Sequence, residues 1–375
     1  MPKTLHSTKH FHLVRQLRPL IAKLAPGEAI PTQQQLKDDF NVSQNTIELA
    51  LARLRREGLV ERPAGKQRLV KAEICDPADH YIAIIRPDWP SLGTENICQA
   101  IVEAGHAMNW SFDIVNYRSQ VGLDMDRAMG DNDGAILLLT GETMPDHLRD
   151  ALTYRRKPIV LAQDMAQGLD IDAVVTDDGM SMQLAVEHLA SLGHREIALL
   201  LPDCYTFPMH QAVAGWRRAM QQLGISADEL DRLLVIADTK PFQKALNVAY
   251  PHFKRWLAEN WQKTTAVIAS NMEMGFVAYR CVHEMKLDIP GQFSIVKSDN
   301  ITHMGEFFYP PATTLEMNMH DYGQNVVDLL QMQFANEPTN IQTVLIPSRI
   351  VARDSTGPVP QRIAVAATQA CNANS

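Results

Sequence analysis

A chain of 375 residues has room for two or three domains and a large core. Its 46% apolar and 21% charged residues are ordinary for a soluble globular protein. No apolar run is long enough to span a membrane, and the start shows no charged-then-apolar-then-small leader pattern.

The net charge of −8 is unevenly placed: residues 1–72 hold 13 basic and 6 acidic side chains, a net of +7, and the remainder carries −15. A basic head on an acidic body suits phosphate binding by the head alone. Cys75, Cys98, Cys204, Cys281 and Cys371 are odd in number and lack metal or redox spacing, which points to reduced thiols in a cytoplasm. His6, His10 and His12 have no cysteine or carboxylate at ligand spacing, so no metal and no cofactor is expected.

In chain order, residues 1–9 are polar. Phe11, Val14, Leu17 and Ile21 mark an amphipathic helix, with a kink or restart at Pro19. Thr32 and Ser43 then have the N-cap chemistry of two short helices joined by the corner Phe40-Asn41-Val42. In the second helix Ile47, Ala50, Leu51 and Leu54 form the buried stripe. Gln44, Asn45 and Glu48 fall on the outer face, where a recognition helix meets base edges. Gly58 ends that helix. Val60–Val70 reads as a two-strand wing with Lys66 and Arg68 near its tip, both candidates for phosphate or the minor groove. For Arg53, Arg55 and Arg56, phosphate contact and a solvated helix face are equally good readings.

The segment 72–79, with Asp76-Pro77, reads as a linker. Beyond it, apolar runs at 81–85, 112–115, 134–139, 158–161, 173–175, 197–201, 233–236, 266–269 and 293–296 alternate with helical stretches near 95–108, 145–154, 179–192 and 213–223. That alternation implies parallel sheets with right-handed crossovers, an α/β architecture. Residues 357–375, rich in small and polar types, read as a loose tail.

Two resemblances follow. Residues 10–70, through Pro26-Gly27-Glu28, Ile30-Pro31, Val42-Ser43, Thr46, Ala50-Leu51, Leu54 and Glu57-Gly58-Leu59-Val60, resemble the winged helix-turn-helix of the GntR family of bacterial transcription regulators. The likeness implies DNA contacts from Thr32, Gln33, Gln34, Ser43, Gln44, Asn45, Thr46 and Glu48, with Lys66 and Arg68 from the wing. Arginines usual in the family are replaced by Gln44, Glu48 and Gln34, so the DNA sequence read should differ.

Residues 81–356 resemble the effector domain of the LacI/GalR family, a fold shared with periplasmic sugar-binding proteins. The carriers include Val174-Val175-Thr176-Asp177-Asp178-Gly179, Leu192-Gly193-His194-Arg195, Gly215-Trp216, Thr265–Asn271, Pro310–Thr314 and Arg349–Thr356. The resemblance implies a periplasmic-binding-protein-like (type I) body of two lobes, about 80–176 plus 300–316 and 177–298 plus 317–356. Chain crossings would lie near 176–177, 298–300 and 315–318. A ligand would sit in the cleft between lobes. The family's arginine before Gly215 is Ala212 here, its aspartate after Asn271 is Met272, and its aspartate-arginine pair is Gln163-Asp164. The polar candidates for a sugar-like effector are Asp88, Glu95, Gln163 and Asp164 on one lobe, and Tyr205, Asn271 and Asp299 elsewhere. Trp89 is the expected aromatic platform.

No phosphate loop and no Gly-x-Ser-x-Gly elbow is present. Asp177-Asp178 fits a structural or ligand-gating role better than acid–base work. The best-supported expectation is a homodimeric, ligand-responsive repressor of carbohydrate genes that binds an operator in duplex DNA. The alternatives are a small-molecule sensor with a degenerate head and an enzyme on an α/β scaffold.

Overall fold

The structure is a computed structural model that describes residues 9–63, 68–72, 78–89, 91–203, 206–240, 243–298, 304–335 and 340–360.

The head has three helices and a two-strand wing. Helix α1 (Lys9–Ala22) runs unbroken through Pro19, with no restart there. Helix α2 (Gln33–Phe40) begins at a capping box: Thr32 Oγ1 accepts from Gln35 N, and the Gln35 side chain accepts from Thr32 N. Asn41 turns the corner in the left-handed conformation at φ 48°. Helix α3 (Gln44–Arg56) starts at Ser43 and stops before Gly58, whose φ of 70° favours glycine. Ile47, Ala50, Leu51 and Leu54 are buried against Leu13, Val14, Leu17, Ile21 and Leu36. Strands β1 (Val60–Glu61) and β2 (Val70–Lys71) pair antiparallel as the base of the wing; Lys66 lies outside the described residues.

The body opens with β3 (His80–Pro87), α4 (Leu92–Ala107), β4 (Trp110–Tyr117), α5 (Met125–Met129), β5 (Gly134–Leu138), α6 (Asp146–Thr153), β6 (Ile159–Ala162) and β7 (Ala173–Thr176). It continues with α7 (Asp178–Ser191), β8 (Ile197–Leu201), α8 (Phe207–Gln222), α9 (Ala227–Leu233), β9 (Leu234–Ile236), α10 (Ala245–Asn260), β10 (Ala266–Ala269), α11 (Met272–Glu284) and β11 (Ser294–Ser298). The described chain closes with β12 (Thr313–Met317), α12 (Met319–Phe334), β13 (Thr343–Ile346) and β14 (Ser348–Val351).

Two six-stranded sheets result. Lobe one has the order β13-β7-β6-β5-β3-β4, lobe two β14-β12-β11-β10-β8-β9, and only the β12–β14 pairing is antiparallel. Both faces of each sheet are covered, which is why the strands read as continuous apolar runs. In β3, Ile82 and Ile84 pack with Tyr322, Val326 and Leu330, while Ala83 and Ile85 face Met125, Leu148 and Leu152. Lobe two closes around Trp216, whose indole donates to Ile197 O at 3.1 Å.

The lobe boundaries differ from the expected ones. The chain does cross between lobes after β7 and after β12, but not near 298–300: β11 and β12 pair in the same sheet, with Val296 opposite Thr313. The third crossing is between β13 and β14, at residues 346–348. Lobe two therefore takes β12, and lobe one takes α12, where Gly323 sits tightly against the backbone of Ala100. The expected tail also starts too early. His194 Nε2 bonds Gly357 O at 3.0 Å, and Val359 N donates to Leu192 O at 2.9 Å, so residues 357–360 belong to lobe two. Residues 361–375 lie outside the described chain.

Candidate DNA-reading face and effector cleft

On the head, the start of α3 and the first turn of α2 present one exposed face. Gln44 Nε2 donates to Gln33 Oε1 at 2.7 Å and to Glu48 Oε1 at 3.0 Å, so these three amide and carboxylate groups form a single polar string. Asn45 is exposed beside it, and Gln34 is held by Asp38 at 2.9 Å. Thr46 does not reach this face. It is 6% exposed, and its backbone and hydroxyl are taken up by Ser43. Thr32 and Ser43 serve as caps, while Arg68 is exposed and donates to Ile30 O at 3.2 Å. Neither α2 nor α3 has an acidic residue in its first turn, so two positive helix ends are left uncompensated. Arg53 lies on the opposite side of α3, paired with Glu57 at 2.7 Å and with Asp113, so neither expected reading of Arg53 holds.

Between the lobes is a cavity of about 190 Å³. It sits at the carboxyl ends of the strands, as open parallel sheets arrange it. Gln163 and Thr176 line it from lobe one, and Ser270, Asn271 and Ser298 from lobe two. Ile97, Met209, Met272, Leu315 and Met317 supply its apolar wall. Four helix N-termini converge on it, those of α4, α7, α8 and α11.

Each of these ends already has a carboxylate of the protein. Glu95, Asp178 and Glu273 occupy the first turns of α4, α7 and α11. At α8 the acid comes from the other lobe: Asp164 Oδ1 accepts from Phe207 N across the cleft at 3.1 Å, and from its neighbour Met165 N at 2.8 Å. Burial pushes the Asp164 carboxyl up to about 6, against the pull of those two amides. Burial likewise raises Asp178 to about 6, although the Thr176 hydroxyl donates to it.

Of the expected effector residues, Gln163 and Asn271 line the cavity. Gln163 is held at φ 73°, its amide N–H donating to Tyr322 Oη at 2.7 Å and its side chain accepting from Thr94 at 2.9 Å. Asn271 Oδ1 caps α11 by accepting from Met274 N, which leaves its amide nitrogen for a ligand. Asp164 bridges the lobes. Three others do not line the cavity. Glu95 turns to Arg86 at 2.7 Å, Asp88 is exposed beside Arg118 at 3.6 Å, and Trp89, half-buried beyond the end of β3, is not part of the wall. Tyr205 and Asp299 lie outside the described residues. Reading by motif missed Thr176, Ser270, Ser298 and Ser348. Their signal is positional, since Thr176, Ser270 and Ser298 end or immediately follow apolar strand runs. The Ser270 hydroxyl is buried without a partner, an acceptor and donor in want of a ligand.

Residues 12–70 match the family model of bacterial regulatory proteins of the gntR family, and residues 186–356 match the periplasmic binding protein-like domain. The chain thus joins a head that matches the gntR-family model to a body that matches the periplasmic binding protein-like model. Among similar proteins, the HTH-type transcriptional regulator MalR of Streptomyces coelicolor is 28% identical over 224 residues, 59% of this chain and 63% of that protein. The chain thus matches just under two thirds of MalR's length. Catabolite control protein A of Priestia megaterium is 22% identical over 304 residues, covering 79% of this chain and 88% of that protein. A crystal structure of a LacI family transcriptional regulator from Enterococcus faecium with bound ribose superposes with TM-score 0.62 at 27% identity, covering 74% of this chain and 99% of that one.

Proposed function

We propose that this protein is a cytoplasmic, DNA-binding transcription regulator whose affinity for its operator responds to an uncharged, polyhydroxylated effector of monosaccharide size. The observation that carries the ligand class is the carboxylate that the protein itself places at three of the four cleft-facing helix ends, Asp178 at α7, Glu273 at α11 and Asp164 at α8. A phosphate or carboxylate ligand would be repelled there. No lysine or arginine lines the cavity among the described residues, and residues 204–205 and 299–303, which lie outside the described residues, include none in the sequence. Hydroxyls and amides with an apolar wall suit a sugar. A cavity of about 190 Å³ is small beside ordinary ligand pockets of about 300–1,000 Å³, which suits an effector no larger than a single sugar ring.

The reading head supports the DNA half of the proposal. Gln33, Gln44 and Asn45 offer amides to adenine edges, and Glu48 offers an acceptor to cytosine N4. Repression is the mode we favour, because effector closure of the lobes moves whatever they carry. Two copies would place two reading helices about one helical turn (roughly 34 Å) apart on a palindromic site. Phe307 and Tyr309, 85% and 84% exposed, and Phe276, stacked on Phe308, form an aromatic patch on lobe two that a second copy would cover.

The test is a fluorescence titration with DNA upstream of the protein's own gene, at two salt concentrations, with neutral sugars and their phosphates as a panel. Site-selective binding that one neutral sugar weakens is expected, with its phosphate at least about 100-fold poorer, the scale of a buried charge left unpaired. Binding equal for all sequences, with tryptophan emission still answering a sugar, would instead favour a sensor with a degenerate head.

A further inference from the structure

Resting on that regulator reading, we infer that the back of the DNA-binding head is seated on lobe one by a buried ion network, and that this seat carries the effector's signal to the head. The head and lobe one turn as one body, so lobe movement re-aims the reading helix.

The network has two cations and two anions. Arg18 of α1 donates to Glu57 at 2.7 and 3.3 Å, and its guanidinium lies 3.1 Å from the centroid of the Tyr81 ring in β3. Arg53 of α3 donates to the same Glu57 at 2.7 Å and pairs with Asp113 in the edge strand β4. Their side chains are only 10–14% exposed. Charges sum to zero within the group, and a guanidinium this far from water, stripped of one carboxylate, would be left uncompensated. At the rim, Arg15 donates to Asp131 O at 3.2 Å and His12 lies 3.4 Å from the Asp131 carboxylate.

Beside the network is an open gap of about 410 Å³ bordered by Pro19, Asp79 and Asp133. The seat is therefore held by charge more than by apolar packing, and salt should loosen it. It does not compete with DNA. Arg53 is nine residues beyond Gln44 on α3, and at about 100° per residue the two point to opposite sides of the helix. A seated head keeps its reading face free. Asp113 also lies in mid-strand, away from the strand ends that build the cleft.

The test uses the full chain with Asp113→Lys, which puts a cation against Arg53, and Asp113→Asn as a milder step. Small-angle X-ray scattering without DNA should show a larger radius of gyration for Asp113→Lys than for the wild type, with Asp113→Asn between them. Sugar-dependent tryptophan emission should be unchanged, which reports an intact body. The sugar-induced change in operator affinity should fall from the usual range of about 5–150-fold to under about twofold. Scattering identical to wild type overturns the seat. Expanded scattering with a full sugar response overturns its role as conduit. If the wild type binds no operator, the regulator reading fails with the conduit, while scattering still decides the seat.

Discussion

The head and the cleft use one device to opposite ends. Both converge helix N-termini, in the head on the proposed DNA-reading face and in the body on the proposed effector cleft. In the head, α2 and α3 have no acid in the first turn, and their positive ends face outward. In the cleft, the corresponding ends carry Glu95, Asp178 and Glu273, and α8 borrows Asp164 from the other lobe. The partial charge at a helix start is the same in both places. What differs is whether the protein neutralises it. Left bare, it attracts a polyanion; filled, it turns anions away and leaves hydroxyl chemistry. A basic segment and an acidic body are the same choice written across the whole chain.

The two regions also differ in reserve, and the largest expected effect exploits that. The head's core is a single small cluster around Leu36, Ile47 and Leu54, whereas the body has three. Leu54→Ala should cost about 2–5 kcal/mol, comparable to the whole stability of a domain this small. DNA binding and a low-temperature melting transition should be lost while the sugar response persists. A single melting transition shifted as a whole would mean that head and body fold as one unit.

Next in size is Asp164→Asn, which keeps both amide contacts through Oδ1 but removes the charge. The folded carboxyl titrates near 6 because of burial, above the ordinary value of about 3.9. An acid so raised contributes its full stability below its unfolded value, and loses that contribution as pH climbs through 6. Two units correspond to about 3 kcal/mol as an upper figure. The variant should therefore match the wild type near pH 4 and exceed it above pH 6 in denaturant titrations. Parallel curves at all pH values would show that the charge is not confined as the geometry implies.

Much of the fold was legible because strands buried on both faces leave continuous apolar runs, and all nine expected runs lie on strands β3 to β11. The rest escaped for physical reasons. Strands β13 and β14 are four residues each at sheet edges: Val344-Leu345-Ile346 is a run of only three before Pro347, and Arg349 interrupts the other. Helix α10 carries Pro251 inside it and mixes Tyr, His and Trp with its apolar residues. The misplaced crossing has the same origin, since β12 follows a proline pair and alternates with Glu316. In the site, the carboxylates were visible as residues but not as neighbours. Nothing local to Asp164 says that Phe207 N will meet it from the other lobe. The cleft serines stand alone after strands, and single hydroxyls carry no motif. The seat of Arg53 on Asp113 joins residues 60 positions apart, beyond any spacing argument.

The smallest expected effects fall at the start of α3, where the comparison can be turned around residue by residue. Asn45→Asp gives the head what the cleft helices already have. A carboxylate in a first turn stabilises the helix by about 0.3–1 kcal/mol, so the head should melt slightly higher. The same charge opposes phosphates, so operator affinity should drop, by about tenfold at low salt and less at high salt. Gln44→Arg runs the other way. It adds a cation beside the phosphates, so affinity should rise and the slope of log K against log salt should steepen by about 1. Opposite signs of stability and affinity in Asn45→Asp are the diagnostic feature, because a merely damaged head would lose both together. If affinity were insensitive to both substitutions, the DNA would have to approach from another face of the head. The bare helix ends would then have no ligand to explain them.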